Sequence, residues 1–264
     1  MTQYHSKPVN KQGFVDWSDD ENSIWHDLVV RQQKVINNRA CKAYLDGLDL
    51  LNLPIDEAPQ LPDINRILVK ETGWKVEPVP ALISFDKFFA LLADRKFPVA
   101  TFLRSREEFD YLQEPDFFHE IFGHCAMLTN PDFASFTHTY GKLGRSADSK
   151  RRVYLARLYW FTVEFGLLKE NGETKIYGGG ILSSPGETVY SLDSEKPLRE
   201  SFDLQTVLRT PYRIDIMQPI YYLLDNLKEL YRLSQVDLIE QVDVAMKAQL
   251  LPPLFKAKEV TNAE

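Results

Sequence analysis

Phe117-Phe118-His119-Glu120-Ile121-Phe122-Gly123-His124-Cys125-Ala126-Met127 reads as one helix carrying two of the chain's five histidines. The stretch looks like the zinc-protease pattern H-E-x-x-H with one residue too many between the histidines. On a regular α-helix, residues five apart point roughly 140° away from each other. The two rings can then share a metal ion only if the ion sits off the helix end or the helix is distorted. Gly123, directly before His124, permits such a distortion. A zinc hydrolase with Glu120 as general base is therefore disfavoured by the spacing, although it stays open.

Working outward, Tyr159-Trp160-Phe161-Thr162-Val163-Glu164-Phe165-Gly166-Leu167 holds a lone carboxylate in an apolar run. Burying Glu164 there is costly unless it is paired or binds a metal. Arg157, two turns away, is the competing partner. Two neutral imidazoles and one carboxylate make the facial triad of non-heme iron(II) sites, which leaves positions open for oxygen and water. Spacing alone does not separate this from two hydrogen-bonded histidines in an aromatic core, as in a helical module without catalysis. His138 reads as a structural residue or a supporting neighbour of the site, and His5 and His26 as positions without chemistry.

The remaining pattern suggests a mostly α chain of α+β class, with a few short strands at one side. Residues 1–20 read as a flexible leader, 21–250 as a single domain and 251–264 as a polar tail. Ser23 to Leu48 suggests one long amphipathic helix. Ile64 to Glu71 reads as a short helix closed by Gly73, Trp74 to Val79 as a strand, and Ser84 as the cap of a helix running to about Arg95. Phe97 to Leu103 suggests another strand, and Arg104 to Asp116 a polar loop. Helices are expected at Phe117 to Met127, at Pro131 to about Gly141, and from Lys150 to Lys169, the last closed by Asn171-Gly172. Thr174 to Tyr177 and Tyr212 to Ile216 read as strands. Pro219 to Leu233 and Ser234 to Leu250 read as two closing helices, with Ser234 as a cap.

The chain has 264 residues, 44% of them hydrophobic and 12% aromatic, and a formal net charge of −7. The acidic balance and the lack of any long basic run argue against nucleic acid. No apolar run is long enough to span a membrane. The polar start lacks an apolar signal core, and Cys41 and Cys125 are too few for a disulfide framework. A cytoplasmic protein is expected. The density of rings suits either an ordinary core or a pocket for a flat aromatic ligand.

Three stretches together carry a resemblance: Glu114 to His124, Tyr159 to Leu167, and Tyr177-Gly178-Gly179-Gly180-Ile181-Leu182-Ser183-Ser184-Pro185-Gly186-Glu187. In order and spacing they resemble the pterin-dependent aromatic amino acid hydroxylases over roughly residues 20–235. The resemblance implies that family's catalytic domain, an Fe(2+) ion, tetrahydrobiopterin or a related tetrahydropterin, and O2. One oxygen atom would go to the aromatic ring and one to the pterin.

By motif position it implies His119, His124 and Glu164 as iron ligands. It implies Arg104 for the substrate carboxylate, held by Asp116, and Pro115, Trp160, Phe165, Ser183 and Glu187 as the substrate wall. Phe88 would stack on the pterin, with Ile83, Glu120 and Tyr159 nearby. Without the resemblance, Arg104 would pass for a surface charge, and Trp160, Phe165 and Phe88 for core residues.

Leu112, Phe85 and Pro185 depart from the family pattern, which puts details of pterin and amino-acid contact in doubt. The family's regulatory and tetramerising segments have no counterpart, so its short bacterial form is expected, as a monomer or small homo-oligomer. Trp160 resembles the phenylalanine and tyrosine members. Ile214 stands where tyrosine hydroxylases tend to place an acid. L-phenylalanine is therefore the expected substrate, with tryptophan or tyrosine as the alternatives.

Overall fold

The structure is a computed structural model describing residues 4–112 and 114–256. Helix α1 (Asp19–Ile36) opens with a capping box: the Ser18 hydroxyl accepts from the Glu21 amide while the Glu21 carboxylate accepts from the Ser18 amide. It buries Ile24, Trp25, Leu28, Val29, Gln32 and Ile36. The chain then breaks at Asn38, with φ 60°, before α2 (Lys42–Leu51). The single helix expected over Ser23 to Leu48 is therefore two. The Cys41 amide at the break donates to the Ile176 carbonyl, so the interruption is fixed by a partner far along the chain.

Helix α3 (Leu61–Thr72) ends at Gly73 as expected. Strand β1 (Lys75–Val79) follows, then α4 (Phe85–Ala93), whose Ser84 cap accepts from the Lys87 amide. Strand β2 (Lys96–Ala100) pairs in parallel with β1, Val76 opposite Phe97. After a loop, residues His119–Cys125 form a π-helical turn that continues into α5 (Ala126–Leu128). Helix α6 (Pro131–Ser146) is capped by the Asn130 side chain.

The expected helix from Lys150 to Lys169 divides in three: α7 (Ser149–Tyr159), a second π-helical turn (Trp160–Glu164), and strand β3 (Leu167–Glu170). Asn171-Gly172 is not a helix stop. Both residues have positive φ (53° and 82°) and form the two-residue turn joining β3 to antiparallel β4 (Glu173–Ile176). Short helices α8 (Gly179–Leu182) and α9 (Pro185–Asp193) then precede β5 (Leu198–Ser201) and α10 (Leu204–Arg209).

Two further expectations fail near the end. Tyr212 to Ile216 is irregular rather than a strand. Pro219 to Leu233 begins as strand β6 (Ile220–Leu224), whose five residues are all buried, before α11 (Lys228–Ser234). Strand burial on both faces removes the alternation that would have marked it. Helix α12 (Leu238–Lys247) is capped by Asp237 rather than Ser234. The larger sheet has the order β4-β3-β6-β5.

The leader expected at residues 1–20 is corrected over residues 4–20. Val15 and Trp17 are buried, the Lys7 amide donates to the Thr101 carbonyl, and Tyr4 stacks on Phe102 at 5.0 Å. Met1 to Gln3 lie outside the described residues, as do residues 257–264 of the expected polar tail. Of the rest of that tail, the Leu251 amide donates to the Arg209 carbonyl and the Lys256 carbonyl accepts from Arg213.

Candidate active site

The π turn resolves the spacing problem posed by the histidines. Its i to i+5 hydrogen bonding adds one residue to the turn, so residues five apart come onto one side. The Nε2 atoms of His119 and His124 lie 3.1 Å apart. The second π turn ends on Glu164, whose Oε2 stands 3.3 Å from His124 Nε2 and 3.7 Å from His119 Nε2. Donors that share one ion at right angles, each about 2.1 Å from it, lie about 3 Å apart. The three atoms therefore fit a facial triad.

The surroundings fit a metal as well. The Ser183 hydroxyl donates to the Gly179 carbonyl at 2.9 Å, so it accepts from His119 Nδ1 at 2.9 Å. That places the His119 proton on Nδ1 and leaves the Nε2 lone pair free for a cation. Burial lowers the His119 pKa to about 4 against the pull of Glu164, which keeps the ring neutral. His124 is 1% exposed, packed against Phe97 at 5.1 Å. A Cβ on Gly179 would come within 2.4 Å of the His124 ring, so α8 fits against the imidazole only as glycine.

A second carboxyl, that of Glu120, also lies within 4.8 Å of the ring nitrogens. The two acids differ in state. Burial, helped by Glu164 and Asp116, pushes the Glu120 carboxyl well above the usual range, so it holds its proton. Glu164 is also pushed up by burial, but His124 and His119 bring it below its ordinary value. The ionised acid is the one nearer both imidazoles. Arg157 does not pair with Glu164; its Nη1 donates to the Val153 carbonyl.

His119 and Glu164 open onto a cavity of about 550 Å³ that Arg104, Pro115, Trp160, Phe165, Ser183 and Glu187 also line. The Asp116 carboxylate, fully buried, takes Arg104 Nε and Nη2 at 2.9 Å each and the Arg104 amide at 3.0 Å. It also accepts from the His119 amide at 3.0 Å, so one carboxylate fixes both the guanidinium and the start of the π turn. Arg104 holds Asp116 below the usual carboxylate range although burial opposes this. Trp160 stacks on Tyr212 at 4.5 Å and lies 4.4 Å from Phe165. Glu187 accepts from the Gln218 amide and from the Tyr221 hydroxyl, and burial raises its carboxyl.

Phe88 meets Tyr159 edge-on at 5.4 Å. Ile83, half-buried, stands one residue before the Ser84 cap of α4. Glu120 lies close enough to bear on the Tyr159 hydroxyl, whose pKa burial raises well above its ordinary value. Leu112 lines the 550 Å³ cavity, Phe85 is 62% exposed at the start of α4, and Pro185 is the first residue of α9. His138 is bonded to the Leu92 carbonyl at 3.4 Å, and His26 faces Asp56.

Gln218 and Tyr212 escaped the sequence reading. Gln218 orients Trp160 by accepting from its indole N–H at 3.0 Å, while its own amide donates to the Arg213 and Ile216 carbonyls. Both lie in an irregular loop, where no periodicity marks them. The two prolines bracketing it, Pro211 and Pro219, were the only local signal.

The family model for the biopterin-dependent aromatic amino acid hydroxylases matches residues 2–239, and the chain belongs to that family. It is 70% identical over 263 residues to the phenylalanine-4-hydroxylase of Vibrio cholerae, covering 100% of this chain and 91% of that protein. Its fold is similar to the apo structure of the cold-active phenylalanine hydroxylase of Colwellia psychrerythraea 34H (TM-score 0.93, 53% identity, 95% of this chain and 97% of that one). It is also similar to the Chromobacterium violaceum phenylalanine hydroxylase with bound oxidised Fe(III) (TM-score 0.88, 39% identity, 96% and 94%).

Proposed function

We propose that the chain hydroxylates L-phenylalanine to L-tyrosine, using O2 and a tetrahydropterin, at a non-heme iron held by His119, His124 and Glu164. The observation that carries the reading is one cavity lined by two of the three ligands, His119 and Glu164, and by the Asp116-braced Arg104. Bound iron and tetrahydropterin together supply the activation of O2. The chain's own residues bind, orient and keep the site dry.

Arg104 takes the substrate carboxylate. With two of its nitrogens fixed by Asp116, little rotational freedom is lost on binding. The phenyl ring lies against Trp160 and Phe165 and is directed at the face of the triad. Trp160 is held by Gln218 and Tyr212, so the wall is set before substrate arrives. Phe88 provides the flat surface for the pterin, and the protonated Glu120 a hydrogen-bond donor towards it. Ile83 and Tyr159 complete that side. Ile214 and Met217 line the cavity. A tyrosine or tryptophan substrate is disfavoured because these apolar groups offer no partner to a phenol or indole polar atom.

Both cysteines are unpaired and buried, which suits a cytoplasmic enzyme. Among the described residues no helix is long and apolar enough to cross a membrane. The partner is the free amino acid, and the chain acts as a monomer or small homo-oligomer. The deciding assay uses anaerobically iron-loaded protein with phenylalanine, tyrosine and tryptophan, with and without tetrahydropterin. Tyrosine should form from phenylalanine only when iron and pterin are both present. Equal turnover without pterin, or full activity with zinc, would sink the reading.

A further inference from the structure

Helix α2 lines no part of the 550 Å³ cavity, yet it touches the turn that carries two of the three ligands. Tyr44, fully buried in α2, donates its hydroxyl to the Phe122 carbonyl at 2.7 Å. Phe122 lies inside the π turn, three residues after His119 and two before His124. The Tyr44 and Phe122 rings also meet edge-on at 6.2 Å. Further along α2, Gly47 approaches the same segment so closely that a Cβ there would stand 2.1 Å from the Ala126 carbonyl oxygen. At the head of α2, the Cys41 amide donates to the Ile176 carbonyl, three residues before the Gly179 that packs on the His124 ring. Helix α2 is thus tied both to the backbone around His124 and to the segment that meets its imidazole.

An α-helix closes each carbonyl with the amide four residues on, whereas the bonds of a π turn span five. The same residues wound as α-helix would turn His119 and His124 roughly 140° apart. A side-chain donor that enters the ladder at a carbonyl is one of the few devices that hold a helix off the regular path. Tyr44 supplies such a donor between two ligands. We propose that Tyr44 is a positioning residue for the metal centre: its hydroxyl holds the Phe122 carbonyl so that the turn keeps its π register and the two Nε2 atoms stay side by side. The proposal rests on the reading of His119, His124 and Glu164 as iron ligands. A buried tyrosine hydroxyl needs an acceptor in any core. Were that its whole purpose, its loss would lower stability and leave the iron affinity of the folded chain as it was. A hydroxyl that selects the register acts on iron affinity itself, and on the turn before any metal is added.

Tyr44→Phe removes the hydroxyl and keeps the ring. Thr137→Val is the control, since it removes an equally buried hydroxyl bonded at 2.9 Å to the Phe133 carbonyl in α6, a helix that holds no ligand. Each full chain is measured where it remains folded, for Fe(II) affinity by chelator competition and, without metal, for amide hydrogen exchange. Tyr44→Phe should weaken Fe(II) binding about tenfold and speed exchange over residues 122–126 about tenfold, with α6 unchanged. Thr137→Val should leave both at the wild-type value. Para-aminophenylalanine at position 44, whose amino hydrogen can donate to the same carbonyl, should restore both. Wild-type iron affinity in Tyr44→Phe overturns the proposal, whatever happens to the melting temperature, and so does an equal loss of affinity in Thr137→Val. If Tyr44→Phe does not fold, para-fluorophenylalanine at that position fills the space of the hydroxyl without a hydrogen to donate, and the same outcomes decide. A wild-type chain that binds no Fe(II) would remove the triad reading instead, and exchange in the metal-free turn would still decide the role of Tyr44.

Discussion

Ser183 lines the cavity and also decides which His119 nitrogen carries the proton. Ser183→Ala should lower iron affinity about 10- to 100-fold, read by competition with a chelator, while leaving the fold intact. Arg104→Ala should raise the phenylalanine KM roughly 10- to 100-fold, as expected for loss of a charge-assisted pair, and leave the pterin KM unchanged. An unchanged phenylalanine KM would remove Arg104 from the site. His119 gives a pH signature in the metal-free protein. Its folded pKa, about 4, is below the ordinary value of 6.5, so the unfolded chain takes the proton first. Stability is therefore fully present above about pH 6.5 and is lost as pH falls towards 4, by about 3 kcal/mol. Denaturant melts of wild type and His119→Gln across that range should converge at low pH; parallel curves would count against it. At this scale the ligands were open to sequence reading because lone polar residues in apolar runs demand partners. Gln218 and Tyr212 were not, because their partners lie across the fold.

The elements that carry the site are both π-helical, and the histidine spacing pointed either to a distortion in one of them or to a metal off the helix end. Five-residue spacing of His119 and His124 conflicts with an α-helix, and Gly123 allows the conflict to be resolved. Glu164 carried no such clue. Tyr159 to Lys169 is continuously apolar enough to pass for helix, yet the chain turns into β3 at Gly166. A Cβ there would come within 2.1 Å of the Tyr177 ring, a contact no local pattern reveals. β6 was misread for a similar reason, since Ile220–Leu224 is buried on both faces and so lacks alternation. Helix α8 packs directly on the centre at Gly179. Gly179→Ala puts a methyl against the His124 ring, and the backbone of α8 or the imidazole must move. Overpacking of this kind costs about 1–3 kcal/mol. Iron binding should fall with it, and a variant that binds iron like wild type would show that α8 yields instead.

Across the molecule, the triad ties residues 119–125 to 160–164, two segments that meet the rest of the core through different helices. Bound iron should therefore stabilise the whole chain. At one hundred times its dissociation constant it contributes about 2.7 kcal/mol, a rise of roughly 5–10 °C in Tm for a domain of this size. Thermal melts with and without chelator check this, and equal Tm values would mean that the ligands are as well ordered without a cation. The class, mostly helical with short strands, was legible because amphipathic helices and caps are local signals: Ser84 and Gly73 fall where the pattern puts them, and α6 starts at Pro131 as expected. The four-stranded sheet was not, because β3 and β6 pair across more than fifty residues. Nor was the anchoring of residues 4–20, whose polar look hides the buried Val15 and Trp17.

The π turn at His119–Cys125 also limits how this centre can change over generations. It holds one residue more than the α-helical turn it replaces. Bringing His119 and His124 themselves into the four-residue register of the zinc proteases takes the deletion of a residue between them. Such a deletion would rotate every following residue of the helix against α2 and α6. Moving this pair of ligands is thus coupled to the packing of the whole helix, while the walls of the centre, built of ordinary side chains, stay free to drift towards other aromatic substrates.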